Sequence, residues 1–282
     1  MAPYLLLFGV FVLAPAISAI WISLHNWDYL LPAKPFTGLD NYLDLFTGSA
    51  TAELFWDSIS ATAQFTIYSV PPLVLFPLGI ALILNKKFPG QRIFRAIYFA
   101  PYVLGVGVIG IMWRYVLDPN VGVLNFYLGS LGLPADIPWT NGLPWAWIGL
   151  VGATVWWTAG FNAVIFLAGL QGIPKDLYEA AKVDGATGWQ SFRHVTVPQL
   201  RPVILFVLMI TILASANMFG QSYLITDGAP GESTRTAIMY ITEEGLRNFR
   251  MGSAAAMSLV LAAFLAVIGF FNFRIFGRGG ED

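Results

Sequence analysis

Cysteine is absent from this sequence, which removes disulfides, thiolate metal ligands and thiol chemistry together. Histidine is nearly absent: His25 and His194 are the only two, too few for a metal centre. Charge is scarce as well. Asp, Glu, Lys and Arg make up 11% of the residues, against roughly 25% in an ordinary soluble domain, so the chain could not cover a water-facing surface. The formal net charge of −1 leaves no basic footprint for nucleic acid. No GxxxxGK[ST] phosphate loop occurs, so ATP hydrolysis is not expected within this chain. Clustered carboxylates and nucleophile–base pairs are also missing, which argues against a membrane enzyme. No internal repeat or low-complexity tract is visible.

What is present is apolar: 57% of the residues are hydrophobic. A membrane-spanning helix needs ~20 mostly apolar residues. Six stretches qualify, at about 3–24, 59–84, 96–117, 145–170, 202–225 and 253–273. Five of them contain no Asp, Glu, Lys or Arg, and the third contains only Arg114, near its end. The expected fold class is therefore all-α, a polytopic membrane protein with six transmembrane helices in one domain, 1–282. The first stretch lacks a basic leader and a small-residue cleavage site, so it reads as a retained span. Prolines inside the spans are tolerable where neighbouring helices satisfy the freed carbonyls. Pro71, Pro72 and Pro77 are expected to kink the second span.

Lys and Arg in the loops set the orientation. If 85–95, 171–201 and 274–282 are cytoplasmic, that side holds ten basic residues, among them Lys86, Lys87, Arg193, Arg274 and Arg278, against five on the other. Both termini are then cytoplasmic. Trp27, Trp56, Trp113, Trp139 and Trp145 fall near outer span ends, as an aromatic belt requires. The outer loops 25–57, 118–144 and 226–252 are long and rich in turn residues, so a small external cap for a soluble partner is expected.

One polar stretch interrupts this pattern, EAAKVDGATGWQSFRHVTVP at 179–198. Pro174 suits the start of a helix, Asp176 and Glu179 favour its N-terminal end, and Gly185 stands where a left-handed C-cap is expected. These signals bound a short helix with Leu177, Ala180, Ala181 and Val183 as its apolar positions. Thr187 is placed to cap a second helical stretch, 188–195, before Pro198 and Pro202 lead into the fifth span. Small residues on one face let such a helix dock deeply into another protein. The spacing is Glu179-Ala180-Ala181, three residues, Gly185, nine residues, then Val195-Thr196-Val197-Pro198.

This pattern resembles the EAA loop of binding-protein-dependent ABC importer permeases, with Val197 where a leucine is usual. The resemblance extends to Phe94-Arg95, Pro101, Trp113, Gly122 and Asn125, and to Gly38-Leu39-Asp40-Asn41-Tyr42. It continues through Gly228-Ala229-Pro230, Ser233-Thr234 and Gly252-Ser253-Ala254-Ala255-Ala256. These are similar to the carbohydrate branch, in particular the first permease of maltose- and glycerol-phosphate-type importers. The resemblance implies a type I ABC importer permease fold forming half of an alternating-access pathway in a bacterial or archaeal cytoplasmic membrane. It implies a second, non-identical permease, two cytoplasmic ATPase subunits and an extracytoplasmic substrate-binding protein as partners. ATP and Mg would be bound by the ATPase, with no cofactor in this chain. It assigns ATPase coupling to the loop 174–198, with Glu179, Ala180, Ala181, Asp184, Gly185 and Pro198 in the matching positions.

The same resemblance places substrate contacts in spans four and five. Trp157, Thr158 and Phe161 offer aromatic faces and a hydroxyl to a sugar, and Asn217 and Gln221 offer amides. The two amides, four apart, are expected on one face of a helix, where lipid would leave them unpaired. A sugar or sugar-like solute is the expected cargo, with a glycerophosphodiester or polyol as an alternative. An uncharged passive channel is the competing class, and it would need no docking loop. Membrane-embedded ionisable residues, the usual mark of proton- or sodium-driven transport, do not occur in mid-span.

Overall fold

The computed structural model describes residues 2–86 and 88–276, and their regular structure is helical apart from two isolated bridge pairs. Lys87 and Arg278 of the charge count lie outside the described residues. In chain order the helices are α1 (Ala2–Ser23), α2 (Asp40–Leu43), α3 (Ala50–Leu84), α4 (Gln91–Val103), α5 (Val106–Val116) and α6 (Val123–Ser130). There follow α7 (Trp145–Gln171), α8 (Lys175–Val183), α9 (Gly188–Ala216), α10 (Ala237–Thr242) and α11 (Met251–Phe276). Among the described residues, α1, α3, α7, α9 and α11 are long and apolar enough to cross a membrane, and α4 with α5 makes a bent sixth candidate.

The longest element organises the rest. Helix α3 has 35 residues, so at ~1.5 Å each it reaches ~52 Å, well beyond a ~30 Å hydrocarbon core. Ser49 starts it by accepting the Ala52 N–H at 3.2 Å, so residues 50–57, expected in a loop, are helical. Its side chains enter three separate cores. Phe55 packs with Tyr240, Met257 and Leu261; Ala61 and Phe65 pack with Trp147, Leu150 and Met218. Val74, Ile80, Ala81 and Leu84 pack with Phe166, Leu170 and Leu200.

Pro71, Pro72 and Pro77 lie inside α3, which runs on as helix through all of them. Pro77 has no N–H for the Leu73 carbonyl four residues back. The Asn162 amide of α7 supplies it instead, donating to Leu73 O at 2.8 Å and to Thr211 Oγ1 of α9 at 3.2 Å. Asn162 is buried, so this one side chain ties α3, α7 and α9 together. A second buried contact, Ser69 Oγ to Ser215 Oγ at 3.1 Å, joins α3 to α9 again.

Two expected spans are broken. The third, 96–117, separates at Leu104–Gly105 into α4 and α5, which diverge by 98°. Pro101 removes an N–H from the last turn of α4, and Leu104 and Gly105 are extended (ψ 137° and 152°). The Leu104 carbonyl released there accepts Trp157 Nε1–H of α7 at 3.1 Å. The fifth, 202–225, begins earlier and stops earlier: α9 runs from Gly188 through Pro198 and Pro202 to Ala216. A π-helical turn at Phe192–Thr196 lets the Val197 N–H reach Phe192 O just before Pro198 interrupts the ladder. Asn217 ends α9 by giving both its backbone and its side-chain N–H to Leu213 O, at 3.2 and 2.8 Å. The chain then turns through a π-helical segment, Ser222–Thr226.

At the end of the bundle away from α8, residues 227–250 fold around ion pairs. Arg235 meets Glu232 at 2.6 Å and Glu243 at 3.4 Å, and Arg250 meets buried Glu244 at 2.8 Å. Asp118, at the turn after α5, accepts the Val121 and Asn120 N–H groups, which hold its carboxyl below the usual carboxylate range.

The Asn162 tie is testable by a double-mutant cycle. Asn162→Leu leaves the Leu73 carbonyl buried and unpaired and is expected to cost ~1–3 kcal/mol. Pro77→Ala returns an N–H to that carbonyl, so the same substitution should cost less in that background. Thermal unfolding of the four proteins in detergent reads the difference; equal costs in both backgrounds would refute the pairing.

Candidate functional site

The polar loop folds as its capping residues require. Helix α8 starts after Pro174, with Asp176 in its first turn. It ends in a Schellman motif: Ala186 N–H bonds Ala181 O at 2.9 Å and Gly185 N–H bonds Lys182 O at 3.1 Å. Gly185 is left-handed, φ 76°, as this geometry demands. Thr187 then opens α9 with a reciprocal capping box to Gln190, whose side-chain oxygen accepts the Thr187 N–H at 2.7 Å. The expected stop before Pro198 does not occur, because the π turn carries the helix past it.

Helix α8 is held from one side only. Ile173 is buried in the core formed by the ends of α3, α7 and α9, Tyr178 packs on that core, and Tyr178 OH lies 3.0 Å from Thr196 Oγ1. Glu179, Ala180, Asp184 and Gly185 are exposed, and Ala181 is partly so. Leu177 and Val183 are exposed apolar residues, Val183 at 88%. Leu177, Ala180, Ala181, Asp184, Gly185 and His194 are among the residues around a shallow hollow of about 460 Å³ between α8 and the start of α9. Pro198 lies beyond it, exposed on the first half of α9. The arrangement is a short helix with small residues and an acidic rim, presented to a partner outside the chain.

The second site lies between the spans. Trp157, Thr158 and Phe161 from α7, with Asn217 and Gln221 beyond α9, all line one hollow of about 570 Å³. The expectation of a shared helical face fails, because α9 ends at Asn217 and Gln221 follows the break. Both amides nonetheless face the same space, since the break turns the chain along the hollow's edge. Phe161 stacks on Tyr102 of α4 at 4.7 Å and 17°, and Thr158 donates to Thr154 O at 2.8 Å. Helix α4 passes so close to α7 that a Cβ on Gly160 would lie 2.1 Å from Tyr98 O. That contact sets the Tyr102 ring against Phe161. Trp156, next to Trp157, faces away, into an apolar hollow beside Pro72 and Trp147.

Sequence reasoning did not assign Tyr102, Phe219 or the role of Asn162, all of which line the hollow. Asn162 carries a signal that could have found it: it is the one amide within 145–170, and it is delivered to a neighbour interrupted by prolines. Tyr102 carries none, because the bend of α4 away from α5 places it.

Residues 45–278 match the family described as "Binding-protein-dependent transport system inner membrane component". The chain is similar to the trehalose/maltose transport system permease protein MalF of Thermococcus litoralis, 33% identical over 95% of this chain and 88% of that protein. It is also similar to the arabinooligosaccharides transport system permease protein AraP of Bacillus subtilis, 33% identical over 98% of this chain and 87% of that one. Among solved structures, a chain of a bacterial alginate ABC transporter in complex with alginate pentasaccharide-bound periplasmic protein has the same fold. Its TM-score is 0.84 at 24% identity, covering 99% of this chain and 93% of that one.

The Schellman cap yields a local test. No atom lies within 4 Å of a Cβ on Gly185, so Gly185→Ala acts through the backbone alone. Forcing a side chain into the left-handed region is expected to cost ~1–2 kcal/mol. Amide hydrogen exchange should quicken across 180–186 and stay unchanged in α3 and α7; unchanged protection in the loop would contradict the strain.

Proposed function

The chain belongs to the family of binding-protein-dependent transport system inner membrane components, and from that premise we propose that it forms half of an alternating-access pathway for a sugar-like solute. It is a multi-pass inner-membrane permease subunit and not an enzyme. As an ABC importer permease it works with a binding protein and with ATPase subunits. The reading adds that its partner in the membrane is a second, non-identical permease, that ATP and Mg reside on two cytoplasmic ATPase subunits, and that no cofactor belongs to this chain. Both termini and α8 are read as cytoplasmic, in keeping with the bias of Lys and Arg toward that side.

The observation that carries this reading is the pairing of two sites joined by the same helices. Helix α8 stands exposed at one end and packs back on the core through Tyr178 and Ile173. That core is built from α3, α7 and α9, and α7 and the end of α9 also line the hollow. An ATPase that moves α8 therefore acts on the walls of the hollow through packed side chains. Sugar is the reading for the cargo because the relatives' names are those of sugar transport proteins. The hollow, with stacked rings beside amides and a hydroxyl, suits the apolar faces and OH groups of a sugar.

Two substitutions separate the proposed roles in the reconstituted transporter. Glu179→Ala removes the acidic contact offered to the ATPase and should lower maximal solute-stimulated ATP hydrolysis ~tenfold, as a lost charge-assisted hydrogen bond would. Membrane insertion and the solute concentration for half-maximal uptake should be unaffected. Asn217→Ala should instead raise that half-maximal concentration several-fold. If Glu179→Ala retains full stimulation, α8 is not the coupling element; if Asn217→Ala leaves half-saturation unmoved, the hollow is not the solute path.

A further inference from the structure

We infer that the hollow passes electrically neutral sugars and rejects anionic ones such as uronates. This rests on the proposed sugar permease role and adds the charge class of the cargo. All nineteen described residues around the hollow are uncharged. Thr154 and Trp157 spend their donors on Leu150 O and Leu104 O, and Tyr102 stacks on Phe161; six further polar groups divide into two kinds. Asn162, Thr211 and Ser215 are buried and already bonded between helices. Asn217, Gln221 and Thr158 remain open to a ligand. The Asn217 amide gives one N–H to Leu213 O and keeps its oxygen and second N–H. The Thr158 hydroxyl donates to Thr154 O and keeps its lone pairs. These are donors and acceptors of the kind that match hydroxyl groups, which both give and take a hydrogen bond.

The cations of the neighbouring loop are occupied elsewhere. Arg235 and Arg250 are paired with Glu232, Glu243 and Glu244 around a separate polar hollow. Arg247 approaches the hollow only by way of Tyr223, donating to its hydroxyl at 3.4 Å. Its guanidinium lies 5.8 Å from the centre of the Tyr223 ring, which stacks on Phe219 at 5.4 Å, and Phe219 lines the hollow. Glu243 holds the other side of Arg247 at 3.8 Å. A carboxylate entering the hollow would lose its water and find aromatic faces, whose negative π clouds repel it, with no cation in compensation among this chain's described residues around the hollow. A neutral ring meets those faces with C–H groups.

The complete transporter, with its partner permease, ATPases and binding protein, is reconstituted in liposomes to test this. It is offered neutral trisaccharides of glucose, arabinose and xylose beside trisaccharides of glucuronate, mannuronate and galacturonate. At least one neutral sugar is expected to stimulate ATP hydrolysis at least tenfold more than any uronate. A uronate that stimulates as well as the best neutral sugar overturns the inference and leaves the sugar permease reading standing. If no trisaccharide stimulates, the sugar reading itself falls. The binding protein's own selection is removed by measuring labelled sugar retained by the transporter without it, in wild type and in Gln221→Arg. The wild type should retain the neutral sugar at least tenfold over the uronate, and the added cation should narrow that ratio. An unchanged ratio in Gln221→Arg would show that this hollow does not set the charge preference.

Discussion

Asn162 hydrogen-bonds a carbonyl that Pro77 has left without its helical donor, and the three central helices take their positions from that bond. Within lipid no water can serve an orphaned backbone group, so a proline in a spanning helix needs a partner from a neighbour. The partner here is an amide with two N–H groups, and it spends the second on Thr211 of a third helix. Removing either side of the arrangement therefore disturbs more than one interface. Two of the three cores that α3 enters contain α7 side chains, and their packing depends on the register of α3 against α7, which this buried bond helps to specify.

The same constraint explains where the backbone is allowed to break. Both interruptions, at Leu104–Gly105 and at Asn217, border the hollow, where irregular backbone can be served by water, solute or a side chain. Trp157 serves the first through its indole N–H, and Asn217 serves the second with its own amide. A consequence is that several groups lining the hollow have a structural duty as well. Trp157 offers a ring face to the hollow while its N–H is committed to Leu104.

Much of this was readable from the chain alone, and the unreadable parts have a common cause. Pro174, Gly185 and Thr187 act through local geometry, so the short helix and its cap followed from residue type. Apolar length located the spans because burial in lipid depends on composition. Composition says nothing of backbone direction, and an apolar run reads alike whether straight or bent. Pro101 was visible, yet proline is also present in α3 and α9, where the helix continues; what decides the outcome is whether a neighbour supplies a donor or a space. Asn217 ends α9 without help from proline or glycine, so its break had no local signal. Asn217 and Gln221 do line one hollow, but only half of the reasoning that paired them holds: their polarity pointed inward, while the helix invoked to align them had already stopped.

The tie between Asn162 and Leu73 joins residues 89 positions apart, and this bears on how the chain is made. Synthesis proceeds from the N-terminus, so α3 reaches the membrane well before the amide that completes it. During that interval its Leu73 carbonyl needs a temporary hydrogen-bond donor, such as water at the insertion machinery or a chaperoning helix, or a delay in release to lipid. Helix α7 then completes a neighbour already in place, and α9, bearing Thr211, closes the set last. A bond that looks static in the finished protein thus prescribes an order of arrival, in which α3 cannot be a finished object until α7 has been synthesised.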